Sequence, residues 1–198
     1  MDADELRAAV EDAAGNDLEL LGSHDLLIGL SDGDPRPAAL LRAAADSEYA
    51  ARETFREWAD TAADADLRAA YETVADQEAD HFRRVVAAAD DAHDTDGIGP
   101  MHAYLRSRDD PIHRVAGGMV GRTLVSLRTH GRLIDFFADV DSERATLFRD
   151  LRDETAACLD DGLALLDERA AGDDWDDARA VAEYTIRLAA DDLRDALR

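Results

Sequence analysis

The sequence predicts an all-α protein built around four long helices, and three observations carry that prediction. Apolar residues recur at spacings of three and four through nearly every segment, and hardly any stretch alternates at period two. Gly and Pro breakers divide the chain into two long helical hairpins with helices at either end. The connection between the hairpins, from Asp90 to Pro111, is too long for a tight turn.

The elements follow in order. An N-terminal extension, residues 1–34, holds helices over roughly 3–14 and 17–30 and ends at Gly29 and the loop SDGDPRP. Asp34 is placed to cap the next helix, with Pro35 at its first position, where a missing N–H costs nothing. That first long helix spans about 36–61, and ADAD at 63–66 leads into a second over about 66–91. The long connection contains Gly97, Gly99 and Pro100, then a short helical piece around MHAYLRS. Asp110-Pro111 opens the third long helix, which reaches about Ala138; VDS turns the chain, and the fourth runs over about 142–171. Gly172 closes the bundle region, 35–172. Residues 173–198 form an amphipathic C-terminal helix carrying Val181, Thr185, Leu188 and Leu193, expected to pack on the bundle. Two antiparallel hairpins joined by one long crossover is the pattern of a ferritin-like four-helix bundle.

Composition limits what such a bundle does. The 198 residues carry a net charge of −24, every basic residue is Arg, and Asp outnumbers Glu by 34 to 12. So acidic a surface repels itself unless salt screens it, and at about 1 M salt the Debye length falls to roughly 3 Å. The composition resembles that of haloarchaeal cytosolic proteins. It argues against a general phosphate-backbone binder, which needs a basic face. The start, MDADEL, has neither the basic nor the apolar region of a signal peptide, and no apolar run approaches a membrane span. A cytoplasmic protein is expected, and the single Cys158 fits a reducing compartment.

Helical spacing turns a few polar residues inward. On the first long helix the apolar stripe Leu40, Leu41, Ala44, Ala51, Phe55, Ala59 includes Glu48. On the second, Leu67, Tyr71, Val74, Val85, Ala89 includes Glu78 and His81. On the fourth, Leu147, Leu151, Cys158, Leu165 includes Glu154. Antiparallel pairing about the first turn sets Glu48 level with Glu78, and Glu154 lies at a similar distance from its own turn. Converging buried carboxylates must be neutralised, by protons, by Arg or by a cation. A histidine one turn after Glu78 favours a cation such as Fe, Mn or Zn.

Glu48, then Glu78-x-x-His81 thirty residues on, then a crossover and a second hairpin with Glu154, resembles the rubrerythrin and ferritin-like di-iron carboxylate family over about 38–168. The resemblance implies that Glu48 and His81 hold one iron, with Glu78 and Glu154 in the bridging roles. A complete site adds a third-helix glutamate and a histidine three residues after the fourth-helix glutamate. The corresponding positions here are Thr123, flanked by Arg122 and Leu124, and Ala157. The expectation is therefore one ion per chain, iron or else Mn or Zn, bound by Glu48, Glu78, His81 and Glu154. Any activity would be that of a non-haem iron oxidoreductase handling oxygen or peroxide. The rubredoxin-like Cys pairs of full rubrerythrins are absent, so a redox-active chain would need an external electron donor. A homodimer is compatible with this reading.

Simpler roles stand beside these. Glu78 and His81 also read as a hydrogen-bonded core pair, and Cys158, His130 and Tyr71 read as core residues. His24, His93, His102 and His113 fall in or near loops and read as surface residues. AGGMVG, 116–121, lacks the preceding strand of a phosphate loop and reads as close helix packing. Six arginines between Gly99 and Ile134, namely Arg106, Arg108, Arg114, Arg122, Arg128 and Arg132, face two acids. They read as self-neutralisation, or as a docking face in an alternative function, a non-catalytic regulatory or interaction protein.

Overall fold

The computed structural model describes residues 1–89 and 99–198, so His93, Gly97 and part of the expected crossover lie outside the described residues. Among the described residues every regular element is helical. The N-terminal extension holds α1 (Ala3–Ala13), α2 (Gly15–Leu21) and α3 (His24–Gly29). Three short helices replace the expected two because the Ser23 hydroxyl accepts from the Asp25 N–H and starts a new helix.

The first hairpin is α4 (Pro37–Thr61) and α5 (Ala65–Ala88). The expected Asp34 cap with Pro35 at the first position does not form. Pro37 disfavours the helical region for the residue before it, and Arg36 is extended at φ −104°, ψ 148°, so the helix begins two residues later. Asp34 pairs with Arg36 at 2.8 Å instead. Asp64 caps α5, accepting from the N–H groups of Asp66 and Leu67.

The short helical piece is α6 (Gly99–Arg106). The third long helix begins as α7 (Pro111–Arg114), widens into a π-helical segment over Val115–Gly121, and continues as α8 (Arg122–Val140). Asp141 then caps α9 (Ser142–Arg169), accepting from the N–H groups of Glu143 and Arg144. Gly172, at φ +57°, makes the left-handed turn before α10 (Asp174–Ala196). No helix among the described residues is long and apolar enough to cross a membrane.

The core divides into two apolar clusters. One gathers Phe55, Trp58, Leu67, Tyr71, Val115, Met119, Leu163 and Leu166. The other gathers Leu40, Leu41, Val85, Leu133, Phe137, Ala145 and Phe148. Along α4 and α5, the buried Glu48, Glu78 and His81 lie between the two clusters, together with Ala50, Ala51 and Thr54. Apolar packing therefore closes a polar layer from both sides.

The glycines of the AGGMVG stretch allow the π segment to pack closely, as its composition suggests; the π geometry itself has no signature in the sequence. A Cβ on Gly118 would stand 2.5 Å from the Trp58 ring, and one on Gly121 would stand 2.8 Å from the Ala182 carbonyl oxygen. Gly131, on α8, would meet nothing within 4 Å. Gly118→Ala is expected to destabilise the fold by about 1–3 kcal/mol through overpacking. Gly131→Ala should stabilise it by up to ~1 kcal/mol through helix propensity. Denaturant unfolding at constant high salt measures both, and equal effects at the two positions would contradict the packing argument.

Candidate metal centre

Three of the four expected ligands converge. Glu48 comes from α4, and Glu78 and His81 come from successive turns of α5. One ligand atom from each lies within 4.8 Å of the others. His81 Nδ1 is 3.6 Å from Glu48 Oε2 and 3.8 Å from Glu78 Oε2. All three side chains are buried, with His81 fully so. The register explains the meeting. α4 and α5 are antiparallel about a short turn, which brings Glu48 level with Glu78, and i, i+3 spacing puts His81 on the same face.

Glu154 is placed differently. The buried stripe of α9 runs through Phe148, Leu151, Thr155, Cys158 and Leu159, so Glu154 sits at its edge with a side chain 43% exposed. Its Oε2 stands 2.8 Å from His81 Nε2, on the opposite side of the ring from Glu48 and Glu78. Arg84 donates to its Oε1 at 2.9 Å. Glu154 therefore acts on the imidazole: it accepts the Nε2 proton and leaves Nδ1 facing the two buried glutamates.

Two residues that sequence reasoning did not assign to the site complete its electrostatics. Arg122, 2% exposed, brings Nη2 to 3.1 Å from Glu78 Oε1. His130 Nε2 lies 3.1 Å from Glu48 Oε1. The inward facing of His130 was legible in the helical spacing, but its reach to Glu48 was not. Arg122 was legible only as the neighbour of Thr123, and its membership in an Arg-rich run suggested the surface. Thr123 itself is fully buried, 4.0 Å from Cys158 Sγ. Cys158 is a core residue whose thiol burial pushes up to about 11.

His102, expected at the surface, is buried. Thr54 donates its hydroxyl proton to the Ala50 carbonyl, so His102 Nδ1 is the donor in its 3.0 Å hydrogen bond to Thr54. Tyr71 packs with Phe55 and Trp58 as a core residue. His24 is exposed and His113 is 29% exposed. Of the other arginines, Arg114 is buried and donates to the Arg108 carbonyl and Thr61, Arg106 pairs with Glu57, and Arg132 pairs with Asp135.

Burial and neighbouring charge set the protonation of the cluster. Burial works to raise Glu48, but the hydrogen bond from His130 and the His81 imidazole hold it well below the usual carboxylate range. Burial pushes Glu78 up to about 8; Arg122 restrains the rise and the charge of Glu48 adds to it. Burial works to lower His81, yet Glu48, Glu78 and Glu154 together raise it to about 9. Without an ion, then, the layer holds extra protons on Glu78 and His81.

Two atoms of the cluster remain without hydrogen-bond partners, Glu78 Oε2 and His81 Nδ1. These are the atoms that face each other and Glu48 Oε2. Oxygen and nitrogen donors bound at 2.0–2.2 Å to a common ion at tetrahedral angles stand roughly 3.4 Å apart. The observed 3.6 and 3.8 Å spacings need little contraction to reach that value. A buried Glu48–Glu78–His81 group can hold a metal ion. No protein-family model matches the chain, and neither the curated proteins nor the solved structures provide a match.

The raised protonation has a thermodynamic consequence. The unfolded chain releases the corresponding protons near 4.5 and 6.5, whereas the native state keeps them to about 8 and 9. Because the native state then binds more protons than the unfolded one, stability falls with rising pH over this range. For metal-stripped protein in chelator, melting temperature is expected to decline most steeply between about pH 6.5 and 8, where both groups contribute, and to level off above about 9. Glu78→Gln should flatten the part of the profile below about pH 8. Melting curves against pH at fixed salt test this, and a wild-type profile that rises across the window would refute the assignment.

Proposed function

We propose that this chain is a metal-binding helical-bundle protein, rubrerythrin-like in plan, whose centre holds one divalent ion through Glu48, Glu78 and His81. The observation that carries the reading is the meeting of Glu78 Oε2, His81 Nδ1 and Glu48 Oε2 in one buried group, the first two without a hydrogen-bond partner. A buried polar atom left without a hydrogen bond costs about 1–3 kcal/mol, and a shared cation would remove that cost. The mixed carboxylate and imidazole set suits Fe, Mn or Zn. Glu154 and His130 hold the outer faces of His81 and Glu48, the kind of support that fixes ligand orientation.

The core clusters support the ferritin-like plan. In its first turn α5 places Leu67 in the cluster of Trp58 and Val115, and at its end Ala88 packs against the cluster of Phe137 and Ala145. The third long helix starts within the first of these clusters and finishes in the second. Of the connection, α6 runs beside α4, with His102 at Thr54 and Arg106 at Glu57, toward the end of the bundle where the third long helix starts, as a crossover would.

Iron handling with oxygen or peroxide is the chemistry to which the resemblance points. Here it is limited to what one ion supplies, because Thr123 and Ala157 stand where a second ion's own ligands would be, and Arg122 lies against Glu78. Glu154 adds its charge from beyond the imidazole. A second reading is favoured by the same contacts: Arg122 compensates the charge of Glu78 and His130 hydrogen-bonds Glu48, so the layer is supported with no ion at all. The alternative of an Arg-bearing docking face loses Arg114 and Arg122, which are buried.

Elemental analysis of protein purified in high salt without a metal-affinity tag separates the readings. One Fe, Mn or Zn per chain is expected, lost in Glu78→Ala and in His81→Ala. Glu154→Gln should retain the one-to-one stoichiometry but bind about 10–100-fold more weakly, as an outer-shell residue does. Wild-type protein that takes up no ion under these conditions, and whose composition the two alanine variants leave unchanged, establishes the neutralised layer instead.

A further inference from the structure

Arg122 is a member of the centre that no ligand set requires. Its side chain is nearly inaccessible to water, at 2% exposure. The guanidinium is fixed from several directions: Nε donates to the Gly118 carbonyl at 3.0 Å, Nη2 reaches Glu78 Oε1 at 3.1 Å, and its Cζ lies 5.3 Å from the centre of the Phe55 ring. The π segment arranges this. In the wider turn the Arg122 backbone N–H bonds to the Gly117 carbonyl, five residues back, and the Gly118 carbonyl accepts from the Arg122 side chain. The charge is therefore held against one oxygen of a carboxylate whose other oxygen faces Glu48 and His81.

We propose that Arg122 is a fixed counter-cation that makes the centre selective for divalent over trivalent ions, an inference that rests on the metal-binding reading above. Glu48 and Glu78 bring two negative charges to the layer, and Arg122 cancels one of them. The charge of Glu154 is already matched by Arg84. A divalent ion then leaves the layer with one surplus positive charge and a trivalent ion with two, in a buried space that salt does not screen. With a neutral residue at 122, a divalent ion would balance the layer and a trivalent ion would leave a single surplus charge. An ion held by Glu78 would lie across that carboxylate from the guanidinium, and at a separation of roughly 6 Å and an effective dielectric constant near 20 the extra charge of a trivalent ion would cost on the order of a hundredfold in relative affinity. Arg122 is a positioning and selectivity residue here; it does not touch the ion.

The test uses the full chain in high salt, with Mn2+ and the redox-inert Ga3+ offered together as nitrilotriacetate complexes and bound ions counted by elemental analysis after desalting. Relative to wild type, Arg122→Gln and Arg122→Met should shift the bound Ga3+ to Mn2+ ratio toward Ga3+ by about tenfold or more, whereas Arg122→Lys, which keeps the charge, should not. Mn2+ binding that persists in both neutral variants with an unchanged ratio overturns the inference and leaves the metal-binding reading intact. A wild-type chain that binds neither ion overturns that reading itself. If neither neutral variant folds, the wild type decides: Mn2+-loaded protein should keep its ion against equimolar Ga3+-nitrilotriacetate, and exchange for Ga3+ overturns the proposal.

Discussion

The burial of Glu78 between two apolar clusters imposes the constraint around which the polar layer is arranged. A carboxylate with 2% exposure, level with a second one at 5%, cannot stay doubly ionised without compensation. Each neighbour answers part of that requirement. Arg122 takes one oxygen of Glu78 and His130 takes one of Glu48. The proton that burial retains on Glu78 and the charge on His81 supply the remainder when no ion is present. An ion among the three residues would compete with those protons, so affinity and pH are linked through the same two groups.

Placing an arginine in such a layer requires backbone room. The π segment and its glycines bring the third long helix against Trp58, Leu105 and Ala182 more closely than any side chain would permit. The guanidinium is then anchored by a carbonyl of its own helix, so its position is set by the fold and depends little on the partner carboxylate. A wet arginine on a flexible stem would contribute far less, because exposed ion pairs are worth little.

Much of this was legible in the chain. The helical class follows from the three-and-four spacing, and the facing of Glu48, Glu78 and His81 follows from their positions within apolar stripes and from one short turn. Glu154 lies where helical periodicity stops being decisive: one residue of drift along α9 separates the stripe position Thr155 from the edge position Glu154, and idealised spacing does not distinguish them. The start of α4 was displaced by a local effect, the restriction that Pro37 places on Arg36. Arg122 and His102 depart from expectation for a different reason. Arginine in a charged run and histidine near a loop are ordinarily solvated, and what overrides that tendency is a specific partner, Glu78 in one case and Thr54 in the other. Partners of that kind are supplied by tertiary packing, which a single sequence does not display.

The distribution of charge divides the molecule into two electrostatic regimes. The exterior carries nearly all of the −24 surplus, where interactions weaken as salt rises. The inner layer excludes both water and salt, so the pairing of Arg122 with Glu78 and the charges facing His81 keep their strength at any ionic strength that leaves the protein folded. A chain this acidic attracts cations over its whole surface, and a surface aspartate offers no discrimination among them. The selection among ions proposed for the Glu48–Glu78–His81 layer and its resident arginine would require such a place, buried away from the surrounding salt.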